Sequence, residues 1–186
     1  RTLPKPESEY AKSKLRAEIV VKELCKEFQI NYTIIRPPLV YGDGAKGNFH
    51  KLTGFAVKNL PCPSFFGQVT RSFVGVTNLC DFIFHCIESL ESKNQTFVVS
   101  DGSDLTIKNF IKVIKLQSNK RYFELPISKE FIHFASLFLS KGSDLRKLSS
   151  NLTIDLHDTK EKLNWAPQIE PAVDIGNMVD GFLGRY

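Results

Sequence analysis

The sequence has no hydrophobic run long enough to cross a membrane. A spanning helix needs about 18 consecutive apolar residues, whereas the most apolar stretch, Phe131 to Leu139, contains His133 and is soon followed by Lys141. The first residues, RTLPKPESEY, also lack the charged start and apolar core of a secretory signal. We therefore expect a soluble, cytoplasmic protein without a membrane span.

Cysteine and histidine are scarce, and positive charge is not clustered. The four cysteines and four histidines show no C-x-x-C spacing and no common cluster, so we expect reduced cysteines and no metal site. The net charge is +5, yet the lysines are spread along predicted helices and no nucleic-acid-binding module is present. We predict that no nucleic acid is bound. The modest positive excess suits an anionic small ligand or solvated helix faces.

Hydrophobic periodicity predicts an α/β protein. Apolar residues at helical steps predict a helix from Glu9 to Phe28, and a β-branched run predicts a buried strand from Asn31 to Arg36. Two prolines end that strand, and a loop is expected at 41–44. Later patterns predict helices at 48–58, 78–90, 106–116, 128–139, 158–163 and 172–182, a strand at 95–100, and short strands within 60–77 and at 122–125. Helix–strand alternation favours a parallel sheet, but its strands are too few for an independent doubly wound fold.

One tyrosine–lysine pair suggests a catalytic role in proton transfer. Tyr10 and Lys14 lie four positions apart in the first predicted helix, so their side chains share one helix face. A cation beside a phenol stabilises the phenolate and makes the pair suitable for proton transfer. The alternative is a solvated helix face, because any amphipathic helix can carry this spacing.

The context of the pair adds a resemblance. The chain contains YAKSKLRAE, RPPLVYG, GNFHKL and RSFVGVTNLCDFI in that order, and its tail carries a Leu-x-Trp-x-Pro pattern in LNWAP. With these motifs it resembles the C-terminal half of an extended short-chain dehydrogenase/reductase of the NAD-dependent nucleotide-sugar epimerase/dehydratase family. The resemblance implies the C-terminal part of a Rossmann-like parallel sheet plus a small α+β substrate-binding lobe. Residues 1–47 would be the remnant of the Rossmann-like domain with the catalytic helix, and 48–186 the lobe, with 78–101 returning to the sheet.

The resemblance also implies what is missing. The family's glycine-rich phosphate loop and the serine or threonine ahead of the catalytic tyrosine have no counterpart in this sequence. We therefore expect that the N-terminal dinucleotide-binding half is missing. We also expect that the 186-residue chain alone neither turns over substrate nor holds NAD tightly.

The resemblance gives four residues a role at the cofactor, which would be NAD, with NADP as the alternative. Tyr10 would take the proton from a sugar 4-hydroxyl while hydride leaves C4 for the nicotinamide. Lys14 would hold the nicotinamide ribose hydroxyls. Pro37 and Val40 would line the nicotinamide, and their alternative role is packing at the end of a strand.

Five further residues would bind a UDP-sugar. Asn48 would hold its phosphates at a helix start or act only as an N-cap, and Phe49 would lie near the nucleotide or in the core. Arg71 would grip phosphate; its alternative is an exposed edge-strand position. Phe65 would stack on uracil, and Arg146 would make a second phosphate contact.

The implied activity is a nucleotide-sugar epimerase of the UDP-glucose or UDP-N-acetylhexosamine 4-epimerase type, acting in surface-polysaccharide or sugar metabolism by transient oxidation at C4. A UDP-4-keto-sugar reductase would use the same site. A non-catalytic dinucleotide-binding scaffold is the alternative from another class, although such proteins usually lose the tyrosine or the lysine. The full-length protein is expected to be a homodimer. The sequence leaves the sugar open.

Overall fold

A computed structural model describes residue 6 and residues 8–126 and 151–184 of the chain. Its helices are α1 (Glu9–Glu27), α2 (Asn48–Val57), α3 (Val76–Glu88), α4 (Ile107–Gln117), α5 (His157–Leu163) and α6 (Pro171–Leu183). Its strands are β1 (Thr33–Arg36), β2 (Leu39–Tyr41), β3 (Cys62–Pro63), β4 (Thr70–Arg71), β5 (Phe73–Gly75), β6 (Gln95–Val98), β7 (Leu105–Thr106) and β8 (Glu124–Leu125). Short 3-10 helices span Ser64–Gln68 and Leu90–Ser92. The predicted helix at 128–139 lies outside the described residues.

Helix α1 begins as its sequence dictates. The Ser8 side chain accepts a hydrogen bond of 3.1 Å from the Ala11 backbone N–H, which is the usual way of satisfying a free donor at a helix N-terminus. Within the described part of the chain, however, no residue of α1 is buried. Its apolar side chains, including Leu24 and Phe28, remain largely exposed. Helix α1 therefore presents an apolar face that nothing in the described structure covers.

Two parallel strand pairs form the sheet region. Strand β1 pairs with β6 from Thr33 opposite Gln95 to Arg36 opposite Val98, and β2 pairs with β5. The parallel pairing confirms the α/β class. The prediction of a loop from residue 41 was wrong at its first position, because the chain resumes an extended course after the two prolines and forms β2 up to Tyr41. Proline lacks an N–H, so the new strand begins once both prolines have passed.

The other four strands, β3, β4, β7 and β8, have two residues each and form two further pairs. Strand β3 pairs parallel with β8, and β4 pairs antiparallel with β7. Arg71 of β4 also bridges to Leu152, so the segment after residue 150 runs beside β4. Among the described residues, no helix has both the length and the apolar character needed to span a membrane.

Two hydrophobic clusters hold these elements together. The larger joins α2, α4 and α6 around the rings of Tyr41, Phe49, Phe73 and Phe110. The smaller joins α3, β6 and the tail, with buried Phe82, Phe97, Leu163 and Trp165.

The tail motif closes the smaller cluster. The Trp165 ring lies 4.7 Å from that of Phe82, and its indole N–H donates a hydrogen bond of 2.7 Å to the Asp81 carboxylate. Because the buried indole keeps a partner, Trp165 fills the cluster without an unsatisfied donor.

Candidate active site

Tyr10 and Lys14 lie side by side on the first turns of α1. The Lys14 ammonium lies 5.5 Å from the centre of the Tyr10 ring, within the range of a cation–π contact. The Tyr10 side chain is 73% exposed. A ligand could therefore reach the phenol and the ammonium together, as a proton-transfer pair requires.

An ion pair connects α1 to the strand that follows it. The Arg36 guanidinium donates two hydrogen bonds to the Glu18 carboxylate, of 2.9 and 2.5 Å. The hydrogen bond from Arg36 lowers the pKa of Glu18, and the same contact raises the pKa of Arg36. This two-point contact fixes α1, and with it Tyr10, relative to the end of β1.

Of the two residues predicted beside the nicotinamide, Pro37 lies where parallel sheets bind ligands, and Val40 lies within the next strand. Pro37 is exposed directly after the carboxyl end of β1, and Val40 lies half-buried in β2, paired with Val74 of β5. Ligands of open α/β sheets bind outside the carboxyl ends of the strands. Val40 also packs against the smaller cluster, so it has a packing role in addition to any contact with a cofactor.

Asn48 is the first residue of α2, but it is not the N-cap. That position belongs to Gly47, with a φ of 65° and no side-chain cap hydrogen bond. The alternative of a plain N-cap for Asn48 was therefore wrong: Gly47 takes up the left-handed conformation that precedes the helix. The α2 terminus has neither a capping side chain nor an acidic residue in its first turn, which suits an anion.

Phe49 and Phe65 are core residues. Both side chains are 5% exposed. The Phe49 ring lies 5.3 Å from that of Phe110, and the Phe65 ring lies 4.5 Å from that of Phe66. For Phe49 the predicted alternative of core packing describes its side chain. Contacts of these two residues with a nucleotide stay predictions.

Arg71 is buried. The alternative to a phosphate-binding role, an exposed position on an edge strand, was therefore wrong. Arg71 is 7% exposed, because β4 lies between β7 and the bridge to Leu152. Burial lowers its pKa from the ordinary arginine value. A guanidinium fixed in this strand suits an anionic ligand, because it can bind two phosphate or carboxylate oxygens at once.

The strand that carries Arg71 is braced on both sides. The Ser72 hydroxyl donates a short hydrogen bond to the Asp104 carboxylate and accepts one of 2.8 Å from the Ile154 N–H. The Thr70 N–H donates one of 3.0 Å to the Asn151 side chain. These contacts fix the backbone at Arg71, and no motif or periodicity in the sequence indicates them.

Two further expectations concern Arg146 and a metal site. Arg146, the predicted second phosphate contact, lies outside the described residues. On the exposed surface of α5, His157, Asp158 and Glu161 bring their ligand atoms within 4.8 Å of one another. Exposed acidic groups often cluster without a metal, and this cluster supports no metal site.

Two buried carboxylates near the start of α3 were not among the residues predicted from the sequence. Asp101 accepts hydrogen bonds from the Tyr41 hydroxyl, the Gly75 N–H and the Asn78 amide, at 2.7 to 3.1 Å. Asp174 of α6 accepts two from Thr77, at 3.0 and 2.6 Å. The only sequence signal is the Asp101-Gly102 pair directly after the strand predicted at 95–100, and such a pair indicates a turn.

Comparison with known proteins identifies the family. Residues 1–100 match the NAD dependent epimerase/dehydratase family, and the chain belongs to that family. It is 34% identical over 165 residues to a UDP-glucose 4-epimerase of Vibrio cholerae. Over 122 residues it is 25% identical to an N-acetyl-alpha-D-glucosaminyl-diphospho-ditrans,octacis-undecaprenol 4-epimerase of Escherichia coli O157:H7.

Solved structures share the fold. A UDP-glucuronic acid 4-epimerase of Bacillus cereus in complex with NAD matches 99% of this chain, with a TM-score of 0.74 and 18% identity. A UDP-glucose 4-epimerase of Thermotoga maritima with UDP-glucose matches 98%, with a TM-score of 0.71 and 21% identity. The chain covers 55% and 56% of these two structures. The match to the Vibrio relative covers 87% of this chain and 50% of that protein, so the chain spans about half the length of this relative.

Proposed function

We propose that this chain forms the substrate side of an NAD-dependent nucleotide-sugar 4-epimerase. The observation that carries the proposal is the exposed Tyr10 phenol with the Lys14 ammonium 5.5 Å from its ring centre. Support comes from the 34% identity with a UDP-glucose 4-epimerase. A structural helix face would explain the spacing of the pair, but it would not explain why the pair occurs with the other family motifs.

The residues near the carboxyl end of β1 fit a nicotinamide dinucleotide. Pro37 is exposed and Val40 is apolar and half-buried, so they suit the flat face of a nicotinamide, and the Lys14 ammonium suits ribose hydroxyls as a donor. When bound, the dinucleotide supplies reversible hydride transfer. NADP is the alternative cofactor.

Tyr10 would carry the proton. Its phenolate takes the proton of the sugar 4-hydroxyl and later returns it to the same oxygen. The Lys14 ammonium stabilises the negative charge that the phenolate carries before the first of these steps and again after the second. The proton therefore moves between the sugar oxygen and Tyr10 Oη, and the cation stays in place throughout.

Arg71 and the α2 terminus would hold the diphosphate. Arg71 offers a guanidinium that can bind phosphate oxygens bidentately, and Asn48 begins a helix whose first N–H groups favour an anion. Phe49, Phe65 and Arg146 complete the predicted UDP contacts. A UDP-sugar is therefore the proposed substrate class.

The surroundings of α1 support a larger assembly in the full-length protein. The apolar face of α1 is uncovered, and among the described residues β1 pairs with β6 alone. Such an open edge and face suit further strands of a dinucleotide-binding half, a second copy of the chain, or both. We propose that the full-length protein contains a dinucleotide-binding half and forms a homodimer.

The test is turnover of a UDP-sugar by the full-length gene product without added reductant. We expect it to convert a UDP-hexose or UDP-N-acetylhexosamine into its 4-epimer catalytically. A reaction with UDP-4-keto-sugar that consumes one reduced cofactor per product would indicate the reductase, and binding without either reaction would indicate the scaffold. The 186-residue chain alone should show neither turnover nor micromolar NAD affinity in calorimetry.

A further inference from the structure

The Asp101 carboxylate is shared by several elements of the fold. Tyr41 of β2 donates its hydroxyl at 2.7 Å, and the Gly75 N–H donates at 3.0 and 3.1 Å to the two oxygens. The Asn78 amide donates at 2.8 Å from the first turn of α3. The Asp101 N–H in turn donates to the Phe73 carbonyl at 2.9 Å. One buried side chain therefore connects β2, β5, α3 and the loop after β6.

The connected segments carry the two halves of the proposed site. Tyr41 follows Val40, which is proposed to face the nicotinamide, in the same strand. Strand β5 begins two residues after Arg71, which is proposed to hold phosphate. Asp101 thus lies between the segment for the cofactor and the segment for the diphosphate, although it belongs to neither.

An apolar side chain would fill this place at a lower desolvation cost if packing were the only requirement. A buried carboxylate is expensive unless hydrogen bonds compensate it. Here three donors and the N-terminal end of α3 do so. Burial, and then the hydrogen bond to Asp101, raises the pKa of Tyr41 above its ordinary value, so this phenol stays a donor at every working pH.

We propose that Asp101 is a positioning residue that fixes β2 and the β4–β5 segment at the separation needed for proton and hydride transfer. This inference rests on the proposed function. Each segment would still bind its own part of the ligands without Asp101, but the reacting atoms would be misplaced. The loss should therefore fall on kcat, with little change in KM.

Asp174 provides a matched control. It too is a buried carboxylate at the start of α3, and it accepts hydrogen bonds from the N–H and hydroxyl of Thr77. Asp101 is hydrogen-bonded to β2, β5 and α3, whereas these hydrogen bonds of Asp174 go to α3 only. An Asp174→Asn change removes a comparable charge while leaving the hydrogen bond between Asp101 and Tyr41 of β2 in place.

The experiment compares D101N, Y41F and D174N in the full-length gene product. We expect D101N to lower kcat for UDP-sugar epimerisation roughly tenfold to hundredfold, since misplacing reacting groups by about 1 Å can cost about hundredfold. KM should change less than about threefold, and Y41F should give a smaller loss of the same kind, because it removes one donor and keeps the ring. D174N should keep kcat even where it lowers the melting temperature as much as D101N.

Hydrogen exchange gives a readout independent of activity. In D101N, amide exchange should rise together in residues 39–45 and 72–78, whereas D174N should leave 39–45 unchanged. Equal losses of kcat in D101N and D174N, or exchange in D101N confined to 72–78, would overturn the proposal. If the unaltered protein turns over no nucleotide sugar, the proposed function fails instead, and the exchange comparison still decides whether the link exists.

Discussion

The Arg36 guanidinium holds the Glu18 carboxylate by two hydrogen bonds, of 2.9 and 2.5 Å, and so ties α1 to β1. This tie is important because no residue of α1 is buried within the described structure. Tyr10 and Lys14 lie on that helix, so their position relative to the sheet depends on the ion pair.

Glu18→Gln should therefore lower the free energy of local opening of α1 more than that of the hydrophobic core. The free energy of local opening of α1, measured by hydrogen exchange, should fall by about 1 kcal/mol or less, because the pair is only partly buried and solvent screens it. Glu9→Gln, which breaks the exposed pair with Lys12, is the control and should change it by less than about 0.5 kcal/mol. Equal effects of the two variants would contradict this account of α1.

The same pair predicts a pH dependence. The hydrogen bond from Arg36 lowers the pKa of Glu18 in the folded state. The pair therefore stabilises the protein above the unfolded-state pKa of about 4.3, and that contribution is lost as the pH falls through the lowered pKa. Opening of α1 measured from neutral to acid pH should show this loss in the unaltered protein, and E18Q should lack it.

Arg71→Met tests the proposed phosphate contact. Methionine keeps an apolar stem of similar length but cannot bind phosphate, so the affinity for UDP in calorimetry should fall roughly tenfold or more. A variant with unchanged UDP affinity would remove Arg71 from the site.

Lys115→Met is the control for removing a buried cation. Lys115 is fully buried and donates to the Leu60 carbonyl at 2.8 Å, away from β4. Its loss removes this hydrogen bond and those to Asn59 and to the Arg121 carbonyl, which should destabilise the fold by about 1–3 kcal/mol, with UDP affinity unchanged in the protein that remains folded.

Gly75→Ala tests how tightly the start of α3 is packed. A Cβ at Gly75 would lie 2.2 Å from the nearest Asp174 oxygen, so the carboxylate or the backbone must move. We expect a loss of about 1–3 kcal/mol in the free energy of unfolding by denaturant. Gly176→Ala in α6 is the contrast: the nearest atoms to its Cβ would be those of the Gln117 side chain, at an ordinary contact distance of 3.6 Å, and alanine should stabilise that helix by about 0.5–1 kcal/mol. The reverse order would contradict the described packing.

The local parts of the fold were readable from the sequence. The predicted helix from Glu9 is α1 within one residue, and the strand ending at Arg36 is β1. Both follow from periodicity and from short-range signals such as the Ser8 cap. The side-by-side arrangement of Tyr10 and Lys14 was equally accessible, because four residues of helix fix it.

The long-range parts were not readable in this way. The contact between Tyr41 and Asp101 joins positions 60 apart in the chain, and no periodicity reports such a distance. The burial of Arg71 depends on Leu152, which comes from the far end of the chain. Asn48 was expected as a possible cap because its residue type favours caps, but the preceding glycine already takes the required conformation.

The most direct test of the account is Tyr10→Phe in the full-length gene product, assayed for UDP-sugar epimerisation beside Tyr32→Phe. Phenylalanine keeps the ring and removes the only group at this position that can carry the proton. We predict a fall in kcat of at least about hundredfold, with UDP affinity retained, and nearly unchanged turnover for Y32F. Full turnover by Y10F would contradict the central claim that Tyr10 moves the proton.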